Sequence, residues 1–284
     1  MKVIICGATG RMGQAILSLL EQEKDMTLGV ALENKGHAAI GKNAGQWAGK
    51  DQGSGIISDD IKSGLMKGDV IIDFTTPEGT RAVLYEAVLS RKPMVIGTTG
   101  FTPEEEKNIL TSSKNIPIVI SPNMSIGVNV LFRTLSEVAT VLGDGYDVEI
   151  TEMHHRHKKD APSGTALRMG EVIASARGTT LSQVGRFSRH GIVGVRPVGE
   201  ISIQSLRGGD VVGEHRVIFA GAGERIDIIH RAHSRDNFAQ GALLAARWVV
   251  DQPPGLYDMM DVLGLGKTKT KPAKKTKRAG STKK

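Results

Sequence analysis

One cysteine stands among the 284 residues, so an intramolecular disulfide is impossible and a reducing compartment is expected. Its setting, VIICG around Cys6, superficially matches a lipoprotein processing site. The apolar stretch before it is too short for a signal peptide, which excludes that reading. No stretch reads as the roughly 18 apolar residues of a membrane span, so no membrane partner and a cytoplasmic location are expected. Aromatic residues are scarce, at 4%, while glycine is plentiful, at 35 residues. That pairing disfavours a β-sandwich and favours an α/β protein with many tight turns. The net charge of +7 is also thinner than it looks. Residues 267–284 carry nine Lys or Arg and no acid, so the remainder sums to 7 − 9 = −2. The basicity lives in a low-complexity stretch with no apolar side chain larger than Ala. From residue 265 onward a disordered basic tail is expected, able to bind polyanions weakly through charge alone and giving no other reason to expect a nucleic-acid partner.

What is present is a chain long enough for two ordinary domains. In the first half, short apolar runs alternate with helical periodicity. KVIIC (2–6), MTLGVAL (26–32), DVIIDF (69–74), PMVIG (from 93) and IPIVI (116–120) read as strands. Between them, Met12, Ile16, Leu19 and Leu20 recur at helical spacing. TPEEEKNILTSS opens with Thr102 as N-cap, Pro103 at the first helical position and Glu105 in the capping-box position. Strands alternating with helices specify a doubly wound parallel sheet. After residue 125 the pattern changes. Leu131, Leu135, Val138 and Leu142 mark a long helix, and YDVEITEMH a strand. SGTALRMGEVIASA reads as a further helix. EISIQSL, EHRVIF and RIDIIH are then strands without intervening helices. That is a smaller α+β domain on an open mixed sheet. NFAQGALLAARWVV (237–250) returns to helix. The expected division is 1–125 for a dinucleotide-binding domain, 126–233 for a substrate and oligomerisation domain, and 234–264 returning to the first.

GATGRMG places Gly7, Gly10 and Gly13 between the first strand and the first helix. Glycines there permit a tight turn and let the backbone approach a pyrophosphate at a helix N-terminus. The spacing differs by one residue from G-x-G-x-x-G, but strand and helix flank it correctly. Glu33 lies 20 residues beyond Gly13, at the end of the second strand, where a carboxylate can bind ribose hydroxyls. GTTG (97–100) and SPNMS (121–125) follow later strands at the same sheet edge, where open α/β sheets bind ligands.

TEMHHRHKKDAPSGTA (151–166) crowds His154, His155, Arg156, His157, Lys158 and Lys159 against a helix start. Three readings compete for it. It could be a solvated basic strand end. It could be a metal site, but His154, His155 and His157 along one strand would face alternate sides, and no HExxH spacing or cysteine partner accompanies them, so no metal is expected. It could be an anion-binding catalytic site, with helix N–H groups near Gly164 and Thr165, the charge of Lys158 and a histidine proton donor.

Taken together, GATGRMG, IDFTTPEG, VIGTTGF, EMHHRHKKDAPSGTAL and LRGGDVVGEHRVIF closely resemble the 4-hydroxy-tetrahydrodipicolinate (dihydrodipicolinate) reductase family of lysine and diaminopimelate biosynthesis, over residues 1 to about 264. The resemblance implies a Rossmann domain interrupted by a substrate and tetramerisation domain. It also implies reduction of a cyclic dicarboxylate by NADH or NADPH in a homotetramer. On matching positions it implies His154 as catalytic acid and Lys158 as a second acid or anchor. His155, Gly164 and Thr165 would hold substrate carboxylates. Gly7, Ala8, Thr9, Gly10, Arg11, Met12, Glu33, Asn34, Gly97, Thr98, Thr99, Ser121, Pro122, Asn123 and Met124 would line the coenzyme. Many NADPH-using relatives carry Arg after Glu33. Here Asn34 and then Lys35 follow, which leaves both coenzymes open. The Lys-rich tail has no counterpart in the family pattern. The rival readings are another two-domain dehydrogenase acting on an amino-acid-derived acid and a non-enzymatic NAD-sensing module.

Overall fold

The computed structural model describes residues 1–49 and 55–266. In chain order the first part runs β1 (Lys2–Cys6), α1 (Arg11–Leu20), β2 (Thr27–Leu32), α2 (Ala44–Trp47), β3 (Ile57–Ser58), α3 (Ile61–Leu65), β4 (Val70–Asp73), α4 (Pro77–Ser90), β5 (Met94–Ile96), α5 (Pro103–Ser112) and β6 (Pro117–Ile120). The second comprises α6 (Ile126–Leu142), β7 (Asp147–His154), α7 (Gly164–Ala176), α8 (Leu181–Val184), β8 (Gly185–Arg186), β9 (Ile201–Arg207), β10 (Gly213–Ala220) and β11 (Arg225–Ala232). The chain then closes with α9 (Asp236–Val249), β12 (Gly255–Tyr257) and α10 (Met259–Val262).

Seven parallel strands form the first sheet in the order β12-β6-β5-β4-β1-β2-β3. Its central strands are apolar at successive positions because both faces are covered. Val3 and Ile5 pack with α1 and α9, while Ile4 and Cys6 pack with residues of α3, α4 and α5. The helices begin where the sequence supplies caps. Thr76 caps α4 ahead of Pro77, and Thr102 and Glu105 close a reciprocal capping box on α5.

The second sheet runs β11-β10-β7-β9-β8, with β10 antiparallel to both its neighbours and β7, β9 and β8 mutually parallel. One face carries Val148, Ile150, Ile201, Ile203, Val217 and Phe219, buried in one cluster with residues of α6 and α7. On β11, Ile226 and Ile229 stay exposed.

Two expectations need correction. Ile126–Gly145 is long and apolar enough to cross a membrane by length and composition, with mean hydropathy 1.3, although no such stretch was expected. It is a packed helix: Val128, Leu131, Phe132, Leu135 and Ala139 are buried in the second domain's cluster. The expected tail begins two residues too early, since Leu265 and Gly266 both donate backbone N–H groups to the Met260 carbonyl. The remainder of that tail, 267–284, lies outside the described residues.

Candidate active site

Local geometry at the end of β1 explains the glycine loop one residue at a time. Gly7 adopts φ +75°, and a Cβ there would lie 2.8 Å from the Phe74 carbonyl oxygen. A Cβ on Gly13 would lie 2.2 Å from the Gly7 carbonyl oxygen, so α1 and the loop touch backbone to backbone. Gly10 is different. It is exposed, has φ −69°, and a Cβ would meet only the Gly7 carbonyl oxygen at 3.3 Å. It is also the N-cap of α1, and no side chain caps that helix end. The fold requires glycine at 7 and 13. At 10 the demand comes from whatever approaches the uncapped N–H groups.

Glu33 closes the same loop from β2. Its carboxylate accepts the Thr9 hydroxyl at 2.7 Å, the Thr9 amide at 3.1 Å and the Asn34 amide at 2.9 Å. Burial works against its ionisation, but those donors outweigh it and hold its pKa below the ordinary value. Across the loop, Asp73 at the end of β4 is fully buried. It accepts from the hydroxyls of Thr75 at 2.7 Å and Thr80 at 2.5 Å. Burial still pushes its pKa up to about 6 against those bonds. The Thr98 hydroxyl is buried beside Asp73 without a well-formed hydrogen bond. A Cβ on Gly97 would lie 2.1 Å from the Phe74 ring, so Gly97 is what lets this wall close.

The loop after β6 links the two sheets. The Ser121 hydroxyl donates to the Asn123 carbonyl, and Asn129 on α6 donates to the same oxygen. The Asn123 side-chain amide reaches across to the Thr165 hydroxyl at 3.1 Å. Met124 packs its backbone against α9, where a Cβ on Gly241 would lie 1.8 Å from the Met124 carbonyl oxygen. Loop 121–125 thus touches the start of α7, at the place where the second site is built.

That second site stands at the end of β7. Val148, Ile150, Glu152 and His154 share one face by strand alternation. Register places Glu152 opposite His215 of β10, and His154 opposite Arg207 of β9. His154 Nδ1 lies 2.6 Å from the Glu152 carboxylate, which also accepts both Arg207 terminal nitrogens at 2.8 Å and the Ser163 amide at 3.1 Å. Burial opposes ionisation of Glu152, but His154 and Arg207 hold its carboxyl well below the usual range. Ser163 caps α7 by accepting the Ala166 amide, and its hydroxyl lies 3.0 Å from His215 Nε2. Burial, with the nearby His154, pushes the His215 pKa down to about 3, so that ring stays neutral. Gly164 is exposed, and a Cβ there would meet nothing. Lys158 Nζ pairs with both Asp160 oxygens at 2.8 Å.

The strand ends at His154. His155 and His157 therefore sit on a turn, where the His155 amide donates to Val211 and the Lys158 amide to His155. The expectation that all three histidines alternate along one strand is incorrect, because the chain bends at 155. The His155 and His157 rings lie 6.2 Å apart, centroid to centroid. The His155 Nδ1 is buried with no partner, and burial followed by the charge of Arg235, with Arg11 of the glycine loop also contributing, lowers its pKa. Among the described residues, no group of three or more His, Cys, Asp or Glu could hold a metal ion. Sequence reasoning missed Glu152, Arg207 and His215 as site residues. Glu152 and Ser163 stand inside the quoted histidine-lysine run, and Arg207 and His215 inside LRGGDVVGEHRVIF, but nothing in the sequence shows that β7, β9 and β10 converge.

Comparison with known proteins gives a consistent picture. The family model described as dihydrodipicolinate reductase, N-terminus, matches residues 1–124, and the corresponding C-terminus model matches 127–263. The 4-hydroxy-tetrahydrodipicolinate reductase of Syntrophus aciditrophicus (strain SB) is 53% identical over 265 residues, covering 93% of this chain and 99% of the relative. That of Geotalea uraniireducens (strain Rf4) is 52% identical with the same coverage. Among solved structures, a dipicolinate-bound dihydrodipicolinate reductase from Paenisporosarcina sp. TG-14 superposes with TM-score 0.71 at 25% identity, covering 92% of this chain and 98% of that one. GenD2 from gentamicin A biosynthesis, in complex with NAD, shares the fold at TM-score 0.58 and 9% identity, covering 93% of this chain and 90% of that one.

Proposed function

The chain belongs to the dihydrodipicolinate reductase family, and from that premise we propose which of its residues carry each step. The activity is reduction of 4-hydroxy-tetrahydrodipicolinate to tetrahydrodipicolinate with NADH or NADPH, in lysine and diaminopimelate biosynthesis. The substrate is a small dicarboxylate-type ring.

The glycine loop fits a dinucleotide. Gly10 leaves the uncapped N-terminus of α1 open, and Ala8, Thr9, Arg11 and Met12 surround it. These N–H groups and the positive end of the helix hold the pyrophosphate. Glu33 and Asn34 take the adenosine ribose. Gly97, Thr98, Thr99, Ser121, Pro122, Asn123 and Met124 line the nicotinamide end. When bound, the coenzyme supplies the hydride.

The histidine cluster holds and protonates the ring. Gly164 and Thr165 offer backbone N–H groups at the start of α7 to one carboxylate, with Asn123 fixing the Thr165 hydroxyl. An ammonium has three donors, so Lys158 keeps one free for a carboxylate while Asp160 takes two. His155 lies alongside and completes the carboxylate cradle. Hydride addition to a ring carbon conjugated with an imine leaves an enamine-like anion, and His154 Nε2 gives it a proton. The observation that carries this reading is the anchoring of His154. Nδ1 is held by the buried Glu152, which leaves Nε2 as the nitrogen free for chemistry.

Residues 1–125 and 234–264 act as the coenzyme domain, and 126–233 as the substrate domain. The open face of the second sheet and the exposed Phe187, Ile192, Val195, Val198 and Leu206 support assembly into a homotetramer. The buried, unpaired Cys6 supports work in the reducing cytoplasm.

Steady-state kinetics of two variants test the roles. His154→Gln should lower kcat by about 10²–10⁴ with little change in KM. Lys158→Ala should damage both constants, and NADH binding without substrate should survive in each. Near-full kcat in His154→Gln would show that the proton comes from elsewhere.

A further inference from the structure

Glu152 occupies a core position in the strand pattern. It continues Val148 and Ile150 on the helix-covered face of β7, and its side chain has no solvent exposure. A charge at such a place persists only where its partners compensate fully. Here they do. One carboxylate oxygen accepts the Ser163 amide at 3.1 Å and an Arg207 nitrogen at 2.8 Å. The other accepts the second Arg207 nitrogen at 2.8 Å and His154 Nδ1 at 2.6 Å. Arg207 also donates to the Asp160 carbonyl at 2.6 Å, so the same guanidinium ties down the turn that carries Lys158.

We propose that Glu152 is a positioning residue that fixes the tautomer and direction of His154 and, through the same carboxylate, locks the proton donor to the carboxylate-binding start of α7. An ionised carboxylate only accepts, so His154 Nδ1 must carry a hydrogen. The neutral ring is then the Nδ1–H tautomer, with the lone pair on Nε2. A Cβ on Gly213 would lie 3.1 Å from Nε2, so the glycine keeps that side clear. A proton loaded from solvent onto Nε2 makes the imidazolium. When Nε2 gives it to the ring carbon, the N–H electron pair stays on Nε2, the neutral Nδ1–H ring returns and Glu152 remains ionised throughout. The second link is the Ser163 amide. Ser163 caps α7, so a shift of Glu152 would move the donor and the helix start together.

The groups facing His154 come from several elements. Glu152 lies on its own strand, Arg207 on β9, and the neutral His215 on β10 with ring centroids 5.2 Å apart. Lys158, paired with Asp160, and His155 lie on the turn that follows. The Ser163 amide and the Arg207 guanidinium both donate to the carboxylate. In Glu152→Gln those donors claim the single amide oxygen, which turns the amide N–H toward His154 Nδ1 and favours the Nε2–H ring.

The test is imidazole ¹⁵N–¹H NMR on the full chain, with the His154 resonances identified by their loss in His154→Gln. In the wild type, neutral His154 should be the Nδ1–H tautomer. In Glu152→Gln the ring should change to the Nε2–H tautomer, and NADH affinity should stay near that of the wild type, since Glu152 lies outside the glycine-loop domain. Because the proposal rests on His154 as the acid, kcat is read separately, and it should fall in Glu152→Gln as the tautomer changes. If the tautomer changes and kcat stays, Glu152 keeps its role and His154 loses its own. A wild-type Nε2–H tautomer, or a Glu152→Gln ring that stays Nδ1–H, overturns the proposal. The wild-type tautomer decides the matter even if Glu152→Gln fails to fold.

Discussion

Replacing Gly10 and Gly13 by alanine, one at a time, separates what the fold demands from what the coenzyme demands. At Gly13 the new methyl would sit 2.2 Å from the Gly7 carbonyl oxygen and 2.6 Å from the Ala8 Cα. Backbone cannot yield cheaply, so overpacking should cost about 1–3 kcal/mol, offset by up to about 1 kcal/mol of improved helix propensity. Gly13→Ala should lose stability with no coenzyme present. At Gly10 the methyl meets only one atom, at 3.3 Å, and φ −69° suits alanine. Alanine is the poorer N-cap, but it restricts the unfolded chain by about 0.4–1 kcal/mol. The melting temperature of Gly10→Ala should therefore stay near that of the wild type. Its coenzyme affinity should not. A methyl over the uncapped helix end forces the pyrophosphate off at least one amide, and a hydrogen bond to a charged group is worth about 1.5–3 kcal/mol. That is about 10–150-fold in Kd. Differential scanning calorimetry without ligand and calorimetric titration with NADH read the two effects independently. Gly10→Ala with wild-type NADH affinity would refute pyrophosphate binding at the start of α1.

Coenzyme choice should respond to the exposed Lys35, the nearby charge able to offset repulsion between Glu33 and a 2′-phosphate. NADH should be used at least as well as NADPH, and Lys35→Ala should raise KM for NADPH more than for NADH. A strong NADPH preference indifferent to that change would contradict this. Asp73 gives a pH signature in stability. Its folded pKa of about 6 exceeds the reference 3.8, so the folded state holds the proton more tightly. This contribution is full below about pH 4, falls as pH rises to about 6 and is flat above, by about 2–4 kcal/mol in total. In Asp73→Asn that decline should vanish, so the variant gains on the wild type across this window in chemical denaturation. Parallel stability profiles would show that Asp73 does not titrate as described.

The first sheet was legible because strands buried on both faces read as unbroken apolar runs, and because Thr102, Pro103 and Glu105 announce α5. The short edge strand β12 was not. Its three residues carry no periodicity, and only pairing with β6 makes them a strand. The bend at His155 was missed for a related reason: its amide is held by Val211, far along the chain, rather than by a neighbouring strand residue. At the site, local sequence exposed the reactive groups, His154 and Lys158, which cluster in one run. The support that orients them was hidden. Arg207 and His215 lie 53 and 61 residues beyond His154 and meet it only through the register of β9 and β10. Glu152, two residues before His154, read as an ordinary alternating strand position.

This chain should reduce a cyclic dicarboxylate imine with a nicotinamide coenzyme, using both the glycine loop and the histidine cluster. The most direct measurement is the oxidation of NADH and NADPH, with 4-hydroxy-tetrahydrodipicolinate generated in place by the preceding synthase. Turnover with at least one coenzyme is expected, abolished on omitting the synthase and strongly depressed in His154→Gln. No turnover with either coenzyme by the folded protein would contradict it.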